Sequence, residues 1–373
     1  MPESIKLPTH HTSRALQTVD SSLQTNLQHF SSRKFFELEQ TTQLLSEFVK
    51  NNPDSIDEYI SLGRLFRIRG YYRKAFKLHR NLLYRPSLSK KTKAKILTEL
   101  GFDYLESQTS DYGQDYFERA LGLHRNLESA EEGLFLSYQR RNQYINAITW
   151  IKKICKRHPE KKSTLARVYA ELSLAQLKNK QIKQAKKSIK KSFKVSKEEA
   201  FSFLVRAQIE LHEKQNDLAK NTLQSFIEKW PGYSLFALKK LEDLHYETNS
   251  YGDFGNCLQK ILAHHPNNSY VHHYLANHHI KMKKNDAAKT SFQEALHANP
   301  HNIHAVEDYL HFCLDLKEID LAQSIVRGFS LALKSKREFE CLSCKKSFAH
   351  IPKDCTRCMG WNTFRVRYRF EGP

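Results

Sequence analysis

Apolar residues recur along most of this chain with the 3.6-residue period of amphipathic helices, and the whole pattern returns at a longer interval. One period begins at a large residue, continues through a Leu-Gly pair and an aromatic residue, and reaches a small residue where two antiparallel helices can approach closely: Tyr59, Leu62, Gly63, Phe66, Gly70, Ala75 and Leu82. This spacing predicts a helical pair in which the small residue belongs to the second helix.

The position of the small residue returns seven more times, at Gly113, Ala147, Ala185, Ala219, Phe254, Ala288 and Ala322. The steps are 38, 34, 38, 34, 35, 34 and 34 residues, which cluster at the period of tetratricopeptide repeats. Seven places later the residue is mostly apolar, as a buried face requires. Twelve places later, prolines end several helices, at Pro159, Pro231, Pro266 and Pro300.

A weaker unit from Phe35 to Val49, followed by Pro53, precedes these repeats. We therefore expect an all-α tetratricopeptide-repeat superhelix of about nine helical pairs over residues 31–335, with an inner groove lined by the first helix of each pair. The two 38-residue steps predict four-residue insertions between repeats, at Ser87 to Lys93 and around Lys156 to Thr164. Residues 1–30 are polar and are predicted to form a flexible N-terminal segment.

The phase set by Gly63 identifies side chains that face this groove. They include Asp57, Ile60, Arg64 and Arg67 in the first clear repeat, and Tyr270, His273 and Asn277 in a later one. This mixture, with basic contacts toward one end, suits an amphipathic partner segment that carries some acidic residues. The alternative is that Arg64 and Arg67 belong to a solvated face.

Four cysteines near the C-terminus form two C-x-x-C pairs, Cys341 with Cys344 and Cys355 with Cys358, separated by ten residues. Four soft ligands at this spacing suit one tetrahedral zinc or iron ion, whereas disulfides are disfavoured in a reducing compartment. Because residues 336–373 are too few to fold around an apolar core alone, the metal would organise a small domain. The isolated Cys155, Cys257 and Cys313 are predicted to be small core residues.

Basic residues dominate the charge balance. Lys and Arg number 60 against 40 Asp and Glu, and the net charge of +20 attracts an anionic partner such as nucleic acid, an acidic protein or a phospholipid surface. The densest run, from Lys178 to Lys197, contains nine lysines and a predicted buried stripe. Because it lacks interleaved exposed aromatic residues, this run favours a solvated or membrane-facing surface over an RNA site.

Two other patterns have more than one interpretation. Six histidines between His264 and His279 form adjacent pairs, whose members point about 100° apart on a helix, so repeat surface is favoured over a metal site. Arg365, Arg367 and Arg369 alternate with apolar residues as on a half-buried strand, and these arginines are either solvated or bind phosphate of lipid head groups or RNA.

Sequence signatures of catalysis and of membrane insertion are lacking. The chain contains no G-x-S-x-G, no Gly-rich phosphate loop and no H-E-x-x-H, so we expect no enzymatic activity. Its first thirty residues contain neither a signal peptide nor an apolar run near the ~18 residues that a membrane span needs, which predicts a cytoplasmic protein.

The repeats and the cysteines together resemble the lipopolysaccharide assembly protein B family. The resemblance rests on the segment from Leu62 to Gly70, the segment from Lys77 to Leu83, and the terminal C-x-x-C pairs with Trp361 just after them. It covers nearly the whole chain from about Phe35 onward, and the combination is more specific than either part.

The resemblance implies a rubredoxin-like C-terminal β domain, in which Cys341, Cys344, Cys355 and Cys358 hold one structural zinc or iron ion. It also implies an adaptor at the cytoplasmic face of the inner membrane. This adaptor helps a membrane protease degrade the lipid A deacetylase, and an inner-membrane regulator controls it. The family's N-terminal membrane helix has no counterpart in residues 1–30, and Lys345 stands where the family has glycine. The alternative is a nucleic-acid-binding or general protein-interaction scaffold.

Overall fold

The computed structural model describes residues 32–107, 112–333, 336–341, 347–348 and 364–369. In these ranges a single helix, α1 (Ser32–Asn51), precedes eight helical pairs. The first four pairs are α2 (Ile56–Ile68) with α3 (Tyr72–Leu83), α4 (Lys90–Glu106) with α5 (Gly113–Leu123), α6 (Glu128–Arg140) with α7 (Tyr144–Arg157), and α8 (Lys162–Lys178) with α9 (Ile182–Val195). The last four are α10 (Ala200–His212) with α11 (Asn216–Lys229), α12 (Leu235–Glu247) with α13 (Tyr251–His264), α14 (Ser269–Lys281) with α15 (Asn285–Ala298), and α16 (Ile303–Asp315) with α17 (Ile319–Leu333).

The predicted helical repeat array is confirmed. Every small position identified in the sequence is buried, and most of these residues are alanines with no exposed area. Of the weaker first unit, the described residues contain the one helix α1. Two short 3-10 helices, Pro159–Lys161 and Pro231–Tyr233, begin at prolines predicted to end the helices before them.

The turn inside seven of the eight pairs repeats one backbone motif in the described residues. The second residue after the first helix has a positive φ: Gly70 and, in later pairs, Asn142, Lys180, Lys214, Asn249, Lys283 and Lys317. At Gly70 the following amide, of Tyr71, donates to the carbonyl of Phe66, which is the 6→1 bond of a Schellman motif. Equivalent bonds run from Gln143 to Tyr138 and from Gln215 to Glu210. The motif stops the first helix and reverses the chain in a few residues.

The two predicted insertions are helical and do not form loops. First helices are 13 residues long in six pairs, but α4 and α8 have 17 residues each. The four extra residues therefore add about one turn to the first helix, since a turn contains about 3.6 residues. At α4 the added turn has its own cap, because the side chain of Ser89 accepts a hydrogen bond from the amide of Thr92.

Contacts divide the chain into two compact units, with the boundary between Tyr169 and Ala170. Unit 1 contains α1 to α7, and unit 2 contains α9 to α17. The largest apolar cluster of unit 2 is built on Phe226, Phe254, Leu238, Leu258 and Ile261, which are fully buried. After α17, three strands form one sheet in the order β2 (Ser347–Phe348), β1 (Lys336–Cys341), β3 (Phe364–Arg369).

Phe117 of α5 packs where two glycines leave room for its ring. A Cβ atom added to Gly101 of α4 would lie 2.6 Å from the ring, and one added to Gly133 of α6 would lie 2.2 Å from it. Phe117 has no exposed area. The two glycines thus let the first helices of successive pairs close over one aromatic side chain.

Replacing Gly133 with alanine is expected to destabilise unit 1 by about 1–3 kcal/mol, because the enclosed ring of Phe117 cannot move aside. Gly122 provides a matched control on α5, since nothing lies within 4 Å of a Cβ added there. Gly122→Ala should be neutral or stabilising by up to about 1 kcal/mol through helix propensity. Urea unfolding followed by circular dichroism measures both, and equal effects of the two substitutions would contradict the proposed packing.

Candidate partner-binding faces

Arg64 and Arg67, predicted to face the groove, contact acidic residues of the next pair in unit 1. Arg67 Nη2 lies 2.6 Å from Glu99 Oε2, and Arg67 Nη1 lies 2.6 Å from Asp103 Oδ1. Arg64 donates through Nε to Glu99 Oε1 at 2.8 Å. The side chain of Arg67 is 12% exposed and that of Arg64 is 38% exposed. The solvated-face alternative therefore does not describe Arg67, and contact with a partner stays a prediction.

Charge pairing in this network outweighs the cost of burial. Burial alone would raise the pKa of Glu99, but Arg67 and then Arg64 lower it to about 2. Burial likewise opposes the charge of Arg67, yet Glu99 and Asp103 raise the pKa of its guanidinium group. Glu99 and Arg67 are therefore ionised at neutral pH, and their pairing fixes α2 against α4.

His79 of α3 extends the same network inside the helical pair. Its Nδ1 lies 2.6 Å from Asp103 Oδ2 and its Nε2 lies 3.2 Å from the carbonyl oxygen of Ile60. The ring lies against Gly63, where an added Cβ would be 2.2 Å from Nε2. The Leu-Gly signature therefore makes room here for a buried polar side chain that joins three helices.

In unit 2, two of the predicted groove residues also have a partner within the chain. His273 Nε2 lies 2.6 Å from Asp308 Oδ2 of α16, and Asn277 donates to the same oxygen at 2.7 Å. The hydrogen bond with His273, which outweighs burial, and the one from Asn277 lower the pKa of Asp308. Tyr270 packs against the main apolar cluster of unit 2. The structure thus brings His273 and Asn277 together and uses them to join α14 to α16.

A second polar link joins α12 to α14. Lys281 of α14 donates to Glu242 Oε1 at 2.9 Å and lies 4.3 Å from the ring centre of Tyr246. On the same helix α12, Lys239 lies 3.2 Å from Glu242 and its side chain is 68% exposed, and Phe236 is 39% exposed. We call the surface formed by α12, α14 and α16 the first-helix face of unit 2. It combines an exposed aromatic ring with charges of both signs, which suits an amphipathic segment.

The clustered histidines make separate contacts. His265 Nε2 lies 2.7 Å from the carbonyl oxygen of Glu228, and His272 Nε2 lies 2.7 Å from that of Pro266. His273 and His278 are buried, so the prediction that the histidines form repeat surface is wrong for these two. Across the part of the chain that the structure describes, no group of three or more His, Cys, Asp or Glu side chains could hold a metal ion.

The predicted metal and arginine sites belong to the C-terminal part of the chain, after α17. Cys341 ends β1 and is buried, while Cys344, Cys355 and Cys358 lie outside the described residues. β3 covers Arg365, Arg367 and Arg369, whose side chains are not among those described. The helical cysteines agree better with prediction: Cys257 and Cys313 are buried, and Cys155 is partly buried. Burial raises the pKa of each of these three thiols.

Comparison with known proteins identifies the repeat and nearly full-length relatives. The tetratricopeptide repeat family matches residues 166–199, which span the contact between α8 and α9. The chain aligns over 338 residues with a curated protein of Escherichia coli strain K12 at 20% identity, covering 90% of this chain and 87% of the relative. That homologue is lipopolysaccharide assembly protein B. The protein of the same name from Haemophilus influenzae is 21% identical over 333 residues, covering 86% and 83% of the two chains.

The family resemblance found in the sequence is therefore confirmed, and the tetratricopeptide fold indicates protein–protein interaction. Among solved structures, a tetratricopeptide repeat protein from Parabacteroides merdae covers 70% of this chain at 14% identity with a TM-score of 0.41. A repeat-containing protein from Cytophaga hutchinsonii covers 74% at 13% identity with a TM-score of 0.39. Across the described ranges, no helix combines the length and the apolar character needed to cross a bilayer.

Proposed function

We propose that this chain is a non-enzymatic adaptor that regulates lipopolysaccharide biosynthesis at the cytoplasmic face of the inner membrane. It would bring the deacetylase of lipid A synthesis to a membrane protease and respond to an inner-membrane regulator. The observation that carries the proposal is the alignment with lipopolysaccharide assembly protein B along 90% of the chain. An adaptor of this kind acts by raising the local concentration of one partner near the other, so it needs binding surfaces and no reactive side chains.

The first-helix face of unit 2 supports the binding step. The exposed ring of Phe236 lies on the same helix as Lys239. The centre of this ring is 6.2 Å from the centre of the Tyr233 ring. The pairs formed by His273 with Asp308 and by Lys281 with Glu242 hold the three first-helix backbones in a fixed register. A rigid surface of this kind binds with little loss of its own conformational entropy. We assign the partner's amphipathic segment to this face.

The C-terminal cysteines supply the second part of the proposal. Cys341 is buried at the end of β1, which is the central strand of the three-stranded sheet. Two C-x-x-C pairs provide the all-thiolate donor set that zinc and iron take in structural sites. We propose that Cys341, Cys344, Cys355 and Cys358 hold one such ion, which stabilises the C-terminal strands.

Deleting the gene is expected to raise the cellular level of the lipid A deacetylase several-fold, because the protease loses its adaptor. Immunoblotting measures this level, and complementation with the wild-type chain should restore it. Phe236→Asp should fail to restore it, whereas Tyr84→Asp, at a 75% exposed position outside the first-helix face, should succeed. An unchanged deacetylase level in the deletion strain would rule out the proposed function.

A further inference from the structure

The most basic segment of the chain forms a single stripe along α9. At about 100° per residue, Lys183, Lys187, Lys190 and Lys194 fall within about 60° of one another on the helix surface, opposite Ala185. All four are exposed, while Ala185, Ile189 and Ser192 on the other side are buried. We call these four residues the lysine stripe. Four more exposed lysines flank it: Lys178, Lys180, Lys191 and Lys197.

Within the chain, the lysine stripe is not neutralised. Lys186, on the flank of α9, pairs with Glu213 at 2.8 Å, but no carboxylate lies within ion-pair distance of the stripe among the described residues. Like charges spaced three and four residues apart on a helix repel each other, by a few tenths of a kcal/mol per pair. The arrangement therefore adds nothing to the stability of α9, and its chemistry points to an anionic partner.

The composition of the surface discriminates between classes of anionic partner. From Lys178 to Lys197 every basic residue is lysine, and no large apolar side chain of this segment is exposed. Lysine is depleted at protein–protein interfaces, where arginine and aromatic residues are enriched. Nucleic-acid sites use arginine for bidentate contacts and exposed aromatic rings for stacking, and Phe193 instead packs edge-on against Phe203 at 5.2 Å. A surface of lysines alone fits a fluid layer of anionic head groups.

We infer that the lysine stripe docks the chain on an anionic phospholipid surface. The apolar side of α9 packs on neighbouring helices, so the helix contacts head groups through lysines and does not insert. This inference rests on the proposed location at the membrane, but not on the proposal that the deacetylase is a partner. A chain that does not bind vesicles, in a strain whose deacetylase level still responds to gene deletion, would contradict only this inference. A chain that binds vesicles, in a strain whose deacetylase level does not respond, would contradict only the proposed function.

The test is sedimentation of the full chain with vesicles of phosphatidylcholine alone or mixed with phosphatidylglycerol. We expect binding to the anionic vesicles at about 0.1 M salt and release at about 1 M, because the Debye length falls from about 10 Å to about 3 Å. Replacing the four stripe lysines with glutamine should weaken binding by at least about a hundredfold, since each lysine near an anionic surface contributes roughly fivefold. Failure of the wild-type chain to bind at low salt would overturn the inference.

A second variant distinguishes the effect of the lysine stripe on vesicle binding from the effect of the net charge. Replacing the exposed Lys77, Lys90, Lys91 and Lys93 of unit 1 with glutamine also lowers the net charge from +20 by four, to +16. This control should keep most of the vesicle binding, and both variants should keep their helical circular dichroism. Equal weakening by the two variants would assign the attraction to overall charge and overturn the stripe. A duplex DNA or RNA probe that binds more tightly than the vesicles and depends on the stripe would also overturn it.

Discussion

Replacing Glu99 with alanine is expected to destabilise the contact between α2 and α4 by about 3–5 kcal/mol. The substitution leaves the enclosed guanidinium of Arg67 with Asp103 as its remaining carboxylate partner, and a buried charge that has lost a partner costs more than the intact pair contributes. Hydrogen exchange should detect this locally: amides of α2 to α4 should exchange about a hundredfold faster or more, while amides of α10 to α17 keep their rates, since repeats contact mainly their neighbours.

The exposed pair between the same two helices is the control. Lys95 Nζ lies 3.2 Å from Asp57 Oδ1, with side chains 42% and 74% exposed. Because solvent screens exposed pairs, Asp57→Ala should cost less than about 1 kcal/mol. If Asp57→Ala speeds amide exchange in α2 to α4 as much as Glu99→Ala does, the stabilising effect of the Glu99 network does not come from its burial.

Acid should have the same local effect as the Glu99 substitution. The folded-state pKa of Glu99, about 2, lies below its ordinary value of 4.5, so its contribution is present above pH 4.5 and is lost as the pH falls toward 2. Glu99→Gln should remove this part of the acid sensitivity of unit 1.

The helical array could be predicted because its determinants recur. A small residue is required wherever the second helix packs on the first, and Ala147, Ala185 and Ala219 meet that requirement with no exposed area. The turn residues were harder to find, because Lys180, Lys214 and Lys283 take a positive φ that glycine would normally mark. Neighbouring helix packing imposes that turn whichever residue occupies it.

The acidic partners of the groove residues were missed, although the sequence contains a signal for them. Glu99 pairs with Arg64 and Asp308 pairs with His273, in both cases across 35 residues. Both acids also stand 14 residues before the small residue of their repeats, Gly113 and Ala322. Reading one helix at a time hides such pairs, because the contact joins first helices of successive repeats. Complementary charges about one period apart are the pattern to look for.

Replacing Cys341 with serine should remove the proposed metal ion and unfold the C-terminal strands while most of the helical signal remains. A structural ion held by four thiolates contributes about 10 kcal/mol or more, which is more than a domain of this size can lose. The helices should persist, because each repeat is stabilised by its neighbours and Cys341 lies after the last of them. Elemental analysis should show about one zinc or iron per wild-type chain and almost none in the variant.

Cys155 of α7 gives the matched control, because it is partly buried and belongs to neither C-x-x-C pair. Cys155→Ser should keep the metal content of the wild-type chain. Measuring the deacetylase level in strains complemented with each variant then links metal to function: Cys341→Ser should leave the level high, and Cys155→Ser should restore it. If Cys341→Ser instead abolishes the far-UV helical signal, the C-terminal domain holds the array together, and its role is to stabilise the repeats and not to offer a separate contact.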